Sequence, residues 1–172
     1  MNRRSQVLAV ALVGLALAAT SCAYTTNTGL LPSHLKTIAV PVFGNGTTEY
    51  TLEQDVTDAV IAKFVSDNHL KVVDERSADS IIRGRITAYK NTVFGFSQAA
   101  QAQEYRVVLT ASVTFKDLVK NRELWSEPSL VKTANYYVVD TPGAAAKTEL
   151  DGRKEAIAKL AEEIVARSVE GW

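Results

Sequence analysis

The sequence is short of everything that builds a thiol or metal site: 172 residues contain 1 cysteine and 2 histidines. One cysteine excludes an intrachain disulfide framework and any multi-cysteine metal centre. His34 and His69 stand apart from each other and from the cysteine, without the spacing of metal ligands. A surplus of one charge is also missing. Lys plus Arg and Asp plus Glu are both 19, so no basic excess points to nucleic acid. With 47% apolar and 22% charged residues, global disorder and low-complexity or collagen-like architectures are excluded as well. There is no Walker A loop, no G-x-G-x-x-G and no G-x-S-x-G. Gly44-Asn45-Gly46 is too short to cradle a phosphate and reads as a turn, and Glu162-Glu163 lies on a solvated helix face. The chain is therefore expected to be no enzyme and to need no cofactor or metal.

What is present begins with an address. Arg3 and Arg4 make a positive start, and residues 7–19 run without a charge. Ala19-Thr20-Ser21-Cys22 follows. A basic start, a short apolar stretch and small residues before a cleavage point describe a secretory signal peptide. A membrane span needs about 20 apolar residues, so an uncleaved anchor helix is the poorer alternative. The only cysteine sits directly after the small residues, as in a bacterial lipobox. Residues 1–21 are expected to be the lipoprotein signal and Cys22 the lipidation site, with two or more acyl chains giving stable membrane anchoring. The alternative for Cys22 is an ordinary free thiol. The twin arginines lack the following residues of a Tat signal.

Residues 22–34 read as the lipidated N-terminus and a polar tether, and residues 35–172 as a single domain. Leu35 to Val42 is expected to be a first strand with Pro41 at its end. Thr51 and Gln54 have capping-box spacing, and Leu52, Val56, Val60 and Phe64 form one apolar stripe of a helix ending at Asn68. A brief strand spans Leu70 to Val73, and an alternating strand runs from Asp79 to Lys90. Residues 91–103 are expected to form a loop carrying Phe94 and Phe96. Tyr105 to Phe115 alternates almost strictly, the pattern of an antiparallel strand with one packed face. A returning strand runs from Glu123 to Tyr137 with a break at Pro128, and a second helix from about Thr148 to Val169. The fold class is α+β: two helices on one face of a mainly antiparallel sheet, in the order β-α-β-β-β-β-α.

Arg83, Arg85 and Arg106 project from the sheet face opposite the apolar set, with Tyr89 alongside. Guanidinium groups bind phosphates in bidentate fashion, so this face suits lipid phosphates or an acidic partner; the alternative is a solvated face of strand-compatible side chains. Phe94 and Phe96 are either partner-contact aromatics or residues folded beneath the sheet.

Taken in order, these segments resemble the LptE family of lipopolysaccharide-assembly lipoproteins. The resemblance runs through Leu31-Pro32-Ser33-His34-Leu35 to Phe43 and on through Asn45, Tyr50 to Gln54, Thr57 to Val60, Ala78 to Thr87, Glu104 to Val107, Phe115 to Leu118, Leu124-Trp125 and Ala156 to Val165. It implies an outer-membrane lipoprotein that plugs the lumen of the β-barrel translocon LptD, helps that barrel assemble and aids delivery of lipopolysaccharide to the outer leaflet. It implies a two-helix α/β sandwich, and of the family's functional residues it carries over only Cys22. The opening strand also resembles other small envelope lipoproteins. The alternative function is thus an interaction module for a periplasmic transporter or cell-wall enzyme.

Overall fold

The structure is a computed structural model that describes residues 31–142 and 145–170. The signal segment and Cys22 lie outside the described residues. Among the described residues, no helix is long and apolar enough to cross a membrane.

The elements are β1 (Thr37–Ala39), β2 (Gly44–Asn45), α1 (Leu52–Asp67), β3 (Lys71–Val72), a 3-10 turn (Glu75–Ser77), β4 (Ser80–Phe96), β5 (Ala102–Asp117), β6 (Arg122–Tyr137) and α2 (Glu149–Val169). The sheet order is β3-β1-β4-β5-β6, with β2 also on β4. The short strands β1, β2 and β3 pair in parallel, and β4, β5 and β6 pair antiparallel. The sheet is therefore mixed but dominated by its long antiparallel meander. Two-residue β2, at a place read as loop, is the one strand added to the expected order.

Both helices pack on one face of the sheet. Leu52, Val56, Val60 and Phe64 of α1 and Ala156, Leu160, Ile164 and Val165 of α2 are buried against Ile82, Ile86, Val107, Leu109, Val113 and Phe115. Each such large side chain contributes about 1.5–3 kcal/mol by leaving water. This is why β5 buries every second residue from Val107 to Asp117 while the residues between them stay partly exposed.

The helix ends differ from each other. At α2, Thr148 Oγ1 accepts the Asp151 amide at 3.3 Å and Asp151 Oδ2 accepts the Thr148 amide at 2.8 Å, a complete capping box. At α1, Thr51 sits in the left-handed region at φ 65° and its side chain caps nothing. The expected Thr51–Gln54 box is not formed; the Thr51 carbonyl instead accepts the amides of Gln54 and Asp55. The left-handed Asn68 that ends α1 donates to the Phe64 carbonyl, as expected.

Three features of the meander depart from simple alternation. First, the register slips between Ile86 and Ala88. This bulge at Thr87 turns Tyr89 onto the helix side, where its hydroxyl donates to Glu149 Oε1 at 2.8 Å. Tyr89 therefore does not stand beside the arginines. Second, β4 continues to Phe96 through two more slips. Phe94 and Phe96 are strand residues, not loop residues: Thr92, Val93 and Phe94 favour extended backbone, and only the slips around Gly95 hide the alternation. Third, Pro128 does not break β6. It falls in a bulge, between the pairs Val113–Glu127 and Ala111–Leu130, on an edge strand where a missing N–H is tolerated.

The open flank of β6 is guarded: the Thr133 carbonyl accepts Lys159 Nζ at 3.2 Å, and the Tyr137 carbonyl accepts the Lys147 amide at 2.7 Å. On the opposite flank, no strand pairs with β4 from Ala88 to Phe96 among the described residues.

Candidate functional site

The face of the meander away from the helices is uncovered. Its central strand presents Arg106, Val108, Thr110, Ser112, Thr114 and Lys116, all half-buried by their neighbours. β4 adds Arg83, Arg85, Lys90 and Phe94, and β6 adds Ser126, Val131, Thr133 and Asn135. Hydroxyl-rich strands with spaced cations leave this face polar without losing strand propensity.

The three candidate arginines do not form one cluster. Arg83 and Arg85 are two residues apart on the same face, opposite Thr114 and Ser112. On β5, Arg106 lies six residues from Ser112 and eight from Thr114, about 20 Å from Arg85 and about 26 Å from Arg83 at 3.3 Å per residue. Arg83 is engaged by Glu75 of the 3-10 turn. Arg85 is in no ion pair among the described residues and passes over Gly44 and Gly46, where a Cβ would meet it at 3.2–3.3 Å. Arg106 donates through Nε to Asn135 Oδ1 at 2.8 Å, and Asn135 donates to Glu104 Oε1 at 2.8 Å. Its guanidinium carbon lies 3.4 Å from the Phe94 ring centroid, a cation–π contact. Phe94 is thus joined to one candidate arginine, while Phe96, 67% exposed, stands free further out.

Sequence reasoning missed Lys90 and Lys116, which share this face; alternation with buried Phe115 was the available signal for Lys116, whereas Lys90 reaches the face only through the bulge at Thr87, which parity does not reveal. It also missed a network on the covered side. Arg153 donates to Glu49 at 2.7 Å and stacks at 4.9 Å over Tyr89. Burial, eased by the Arg153 hydrogen bond and reinforced by Glu149, pushes the Tyr89 phenol up to about 12. Tyr89 therefore stays a neutral donor and ties α2 to β4 rather than exchanging protons.

At one end of the open face, Ile81, Leu118, Thr114, Arg83 and Lys116 line a cavity of about 320 Å³. Its walls are mainly apolar, with Lys116 and the Glu75-paired Arg83 among its lining residues.

Residues 35–168 match the model of the LptE lipopolysaccharide-assembly family. The chain belongs to the LptE family. The match takes in every element from β1 to all but the last residue of α2. An LptE-family chain is a lipopolysaccharide-assembly lipoprotein of the envelope, and the family's work is assembly rather than catalysis.

No curated protein matches significantly. Among solved structures, the hypothetical protein CT253 from Chlamydia trachomatis is 13% identical, with TM-score 0.54 over 77% of this chain and 95% of that one. Protein XCC0632 from Xanthomonas campestris is 11% identical, with TM-score 0.54 over 82% and 90%. The rare lipoprotein B from Shewanella oneidensis is 14% identical, with TM-score 0.45 over 74% and 90%. At these identities the first two likenesses bear on the fold alone.

Proposed function

We propose that this LptE-family protein is the lumen plug and assembly factor of an LptD-like outer-membrane β-barrel, and that it aids passage of lipopolysaccharide to the outer leaflet. Acylated Cys22 tethers it to the outer membrane, with the domain on the periplasmic side or within the barrel. The observation that carries this reading is the family match across the whole sandwich, residues 35–168. The open face supports it: hydroxyls and spaced cations suit the polar interior of a large barrel. Tagged mature protein extracted from membranes should bring down a large outer-membrane barrel. Recovery of soluble periplasmic proteins alone would sink the proposal.

In this reading Arg85 and Arg106, with Arg83, Phe94 and Phe96, contact lipopolysaccharide or the barrel. Phosphates on the glycolipid match guanidinium geometry. Arg85→Glu and Arg106→Glu should each weaken binding to lipopolysaccharide by about tenfold, on the scale of a lost charge-assisted hydrogen bond, and added salt should shrink the difference. Arg83→Glu should do less, because Glu75 already engages that side chain. Titration of lipopolysaccharide at two salt concentrations checks this; three unchanged affinities return the arginines to a solvated face.

A further inference from the structure

The end of the sheet where the tether enters carries a turn whose tip faces solvent. β5 and β6 are joined through Lys116-Asp117-Leu118-Val119-Lys120-Asn121-Arg122. Val119 is 61% exposed at the tip, and Lys120 and Arg122 are exposed beside it. Lys116, Lys120 and Arg122 are in no ion pair among the described residues. Of the neighbouring acids, Asp117 is fully buried and used inside the turn, and Glu123 stands opposite Lys116 in the ladder. One exposed valine is ordinary on a protein surface. An exposed valine at a hairpin tip with Lys120 and Arg122 exposed beside it, and Lys116 at the adjoining strand end, has the composition of an interfacial membrane contact.

Its position says which surface. His34, at the end of the tether, bonds through Nε2 to Asp117 Oδ2 at 2.8 Å. The Asp79 carboxylate accepts the amides of Lys36 and Thr37, both at 3.0 Å. The chain that leads from Cys22 therefore joins the domain at this turn. Eight residues lie between Cys22 and Leu31, a reach of at most about 30 Å. Phe96 lies at the other end of strands of 16 and 17 residues, about 50 Å away.

The geometry points to the β5–β6 turn as a second membrane contact, with phospholipid headgroups as its partner. Val119 enters the interface, and Lys116, Lys120 and Arg122 face the phosphates. The neighbouring cavity, lined by Ile81, Leu118, Arg83 and Lys116, combines apolar and cationic side chains in the same way. The turn then meets the headgroups of the periplasmic leaflet beside the acyl anchor, at the mouth of the barrel, while Phe94 and Phe96 lie at the far end of the sheet. The orientation rests on acylation of Cys22, the reading used above; the chemistry of the turn does not.

Two measurements test the inference. In the acylated mature chain the lipid blocks Cys22, so Val119→Cys or Phe96→Cys supplies one thiol for an environment-sensitive fluorophore. Reconstituted into vesicles of phosphatidylethanolamine and phosphatidylglycerol, the probe at 119 should shift to the blue and be quenched by brominated lipid, and the probe at 96 should not. A water-exposed probe at 119 overturns the inference. Separately, the mature chain carrying Cys22→Ser should bind the same vesicles in a salt-sensitive way. Lys120→Glu combined with Arg122→Glu should weaken that binding at least about tenfold. Equal binding by both chains also overturns it. Mass spectrometry of Cys22 reads the acylation by itself, so failure of the anchor and failure of the turn are told apart.

Discussion

Gly84→Ala should destabilise the domain by about 2–3 kcal/mol, the upper range for overpacking a filled core. In the middle of a strand the same change would ordinarily stabilise by a few tenths to 1 kcal/mol, because alanine has less backbone freedom to lose. Packing reverses the sign here. A Cβ on Gly84 would lie 2.0 Å from Phe43 Cε1 and 2.3 Å from Cδ1. The ring has nowhere to retreat: Phe43 is 2% exposed and its amide donates to Thr57 Oγ1 at 3.0 Å. Thr57 is itself held, donating to the Glu53 carbonyl at 2.6 Å. The urea midpoint should fall with an unchanged slope. Combining Gly84→Ala with Phe43→Leu should recover part of the loss, since the two sites share one space. A midpoint equal to or above that of the natural chain would show that the ring can move after all.

Asp117→Ala should cost about 2–3 kcal/mol at neutral pH, because it removes charge-assisted bonds from a buried site and leaves a turn amide unpaired. The carboxylate accepts His34 Nε2 at 2.8 Å and the Lys120 amide at 2.9 Å. Burial alone would push this carboxyl up, but the Lys120 and Val119 amides and His34 outweigh it and hold it below the usual carboxylate range. Asp79 is lowered too, chiefly by the Lys36 amide and the Thr37 hydroxyl. A group whose folded pKa is depressed contributes its stability above its unfolded value near 4 and loses it as pH falls through the folded value. The natural chain should therefore lose stability from about pH 4 downward, and the gap to Asp117→Ala should narrow over the same range. Urea midpoints at pH 7 and pH 3 check this; a gap that stays constant would show that the Asp117 carboxylate carries no linkage.

The parts of the fold legible in the sequence are those where one period runs undisturbed. β5 alternates from Tyr105 to Phe115, and α2 repeats its apolar stripe behind Thr148, so strand, helix and facing sides all follow. β4 was harder because its period is interrupted. Around Thr87 the residues Arg85-Ile86-Thr87-Ala88-Tyr89 alternate as well with the bulge as without it, and only pairing with Thr110 decides which way Tyr89 turns. The same blindness hid Phe94 and Phe96 in a strand. The expected box at Thr51 failed because spacing says nothing about a backbone driven to φ 65° by the loop that precedes it. The candidate arginines were placed on the correct face, since facing follows from parity, but their separation depends on how far along the meander each one sits. The family was readable because many short segments agree in order, and none of them is catalytic.

On one flank of the sheet Lys159 and the Lys147 amide occupy the Thr133 and Tyr137 carbonyls, and on the other no strand covers β4 past Ile86 among the described residues. Bare ladders recruit like chains when no mate is at hand. An uncovered ladder of this length is a pairing site for a second strand, so self-association of the isolated domain should rise with its concentration.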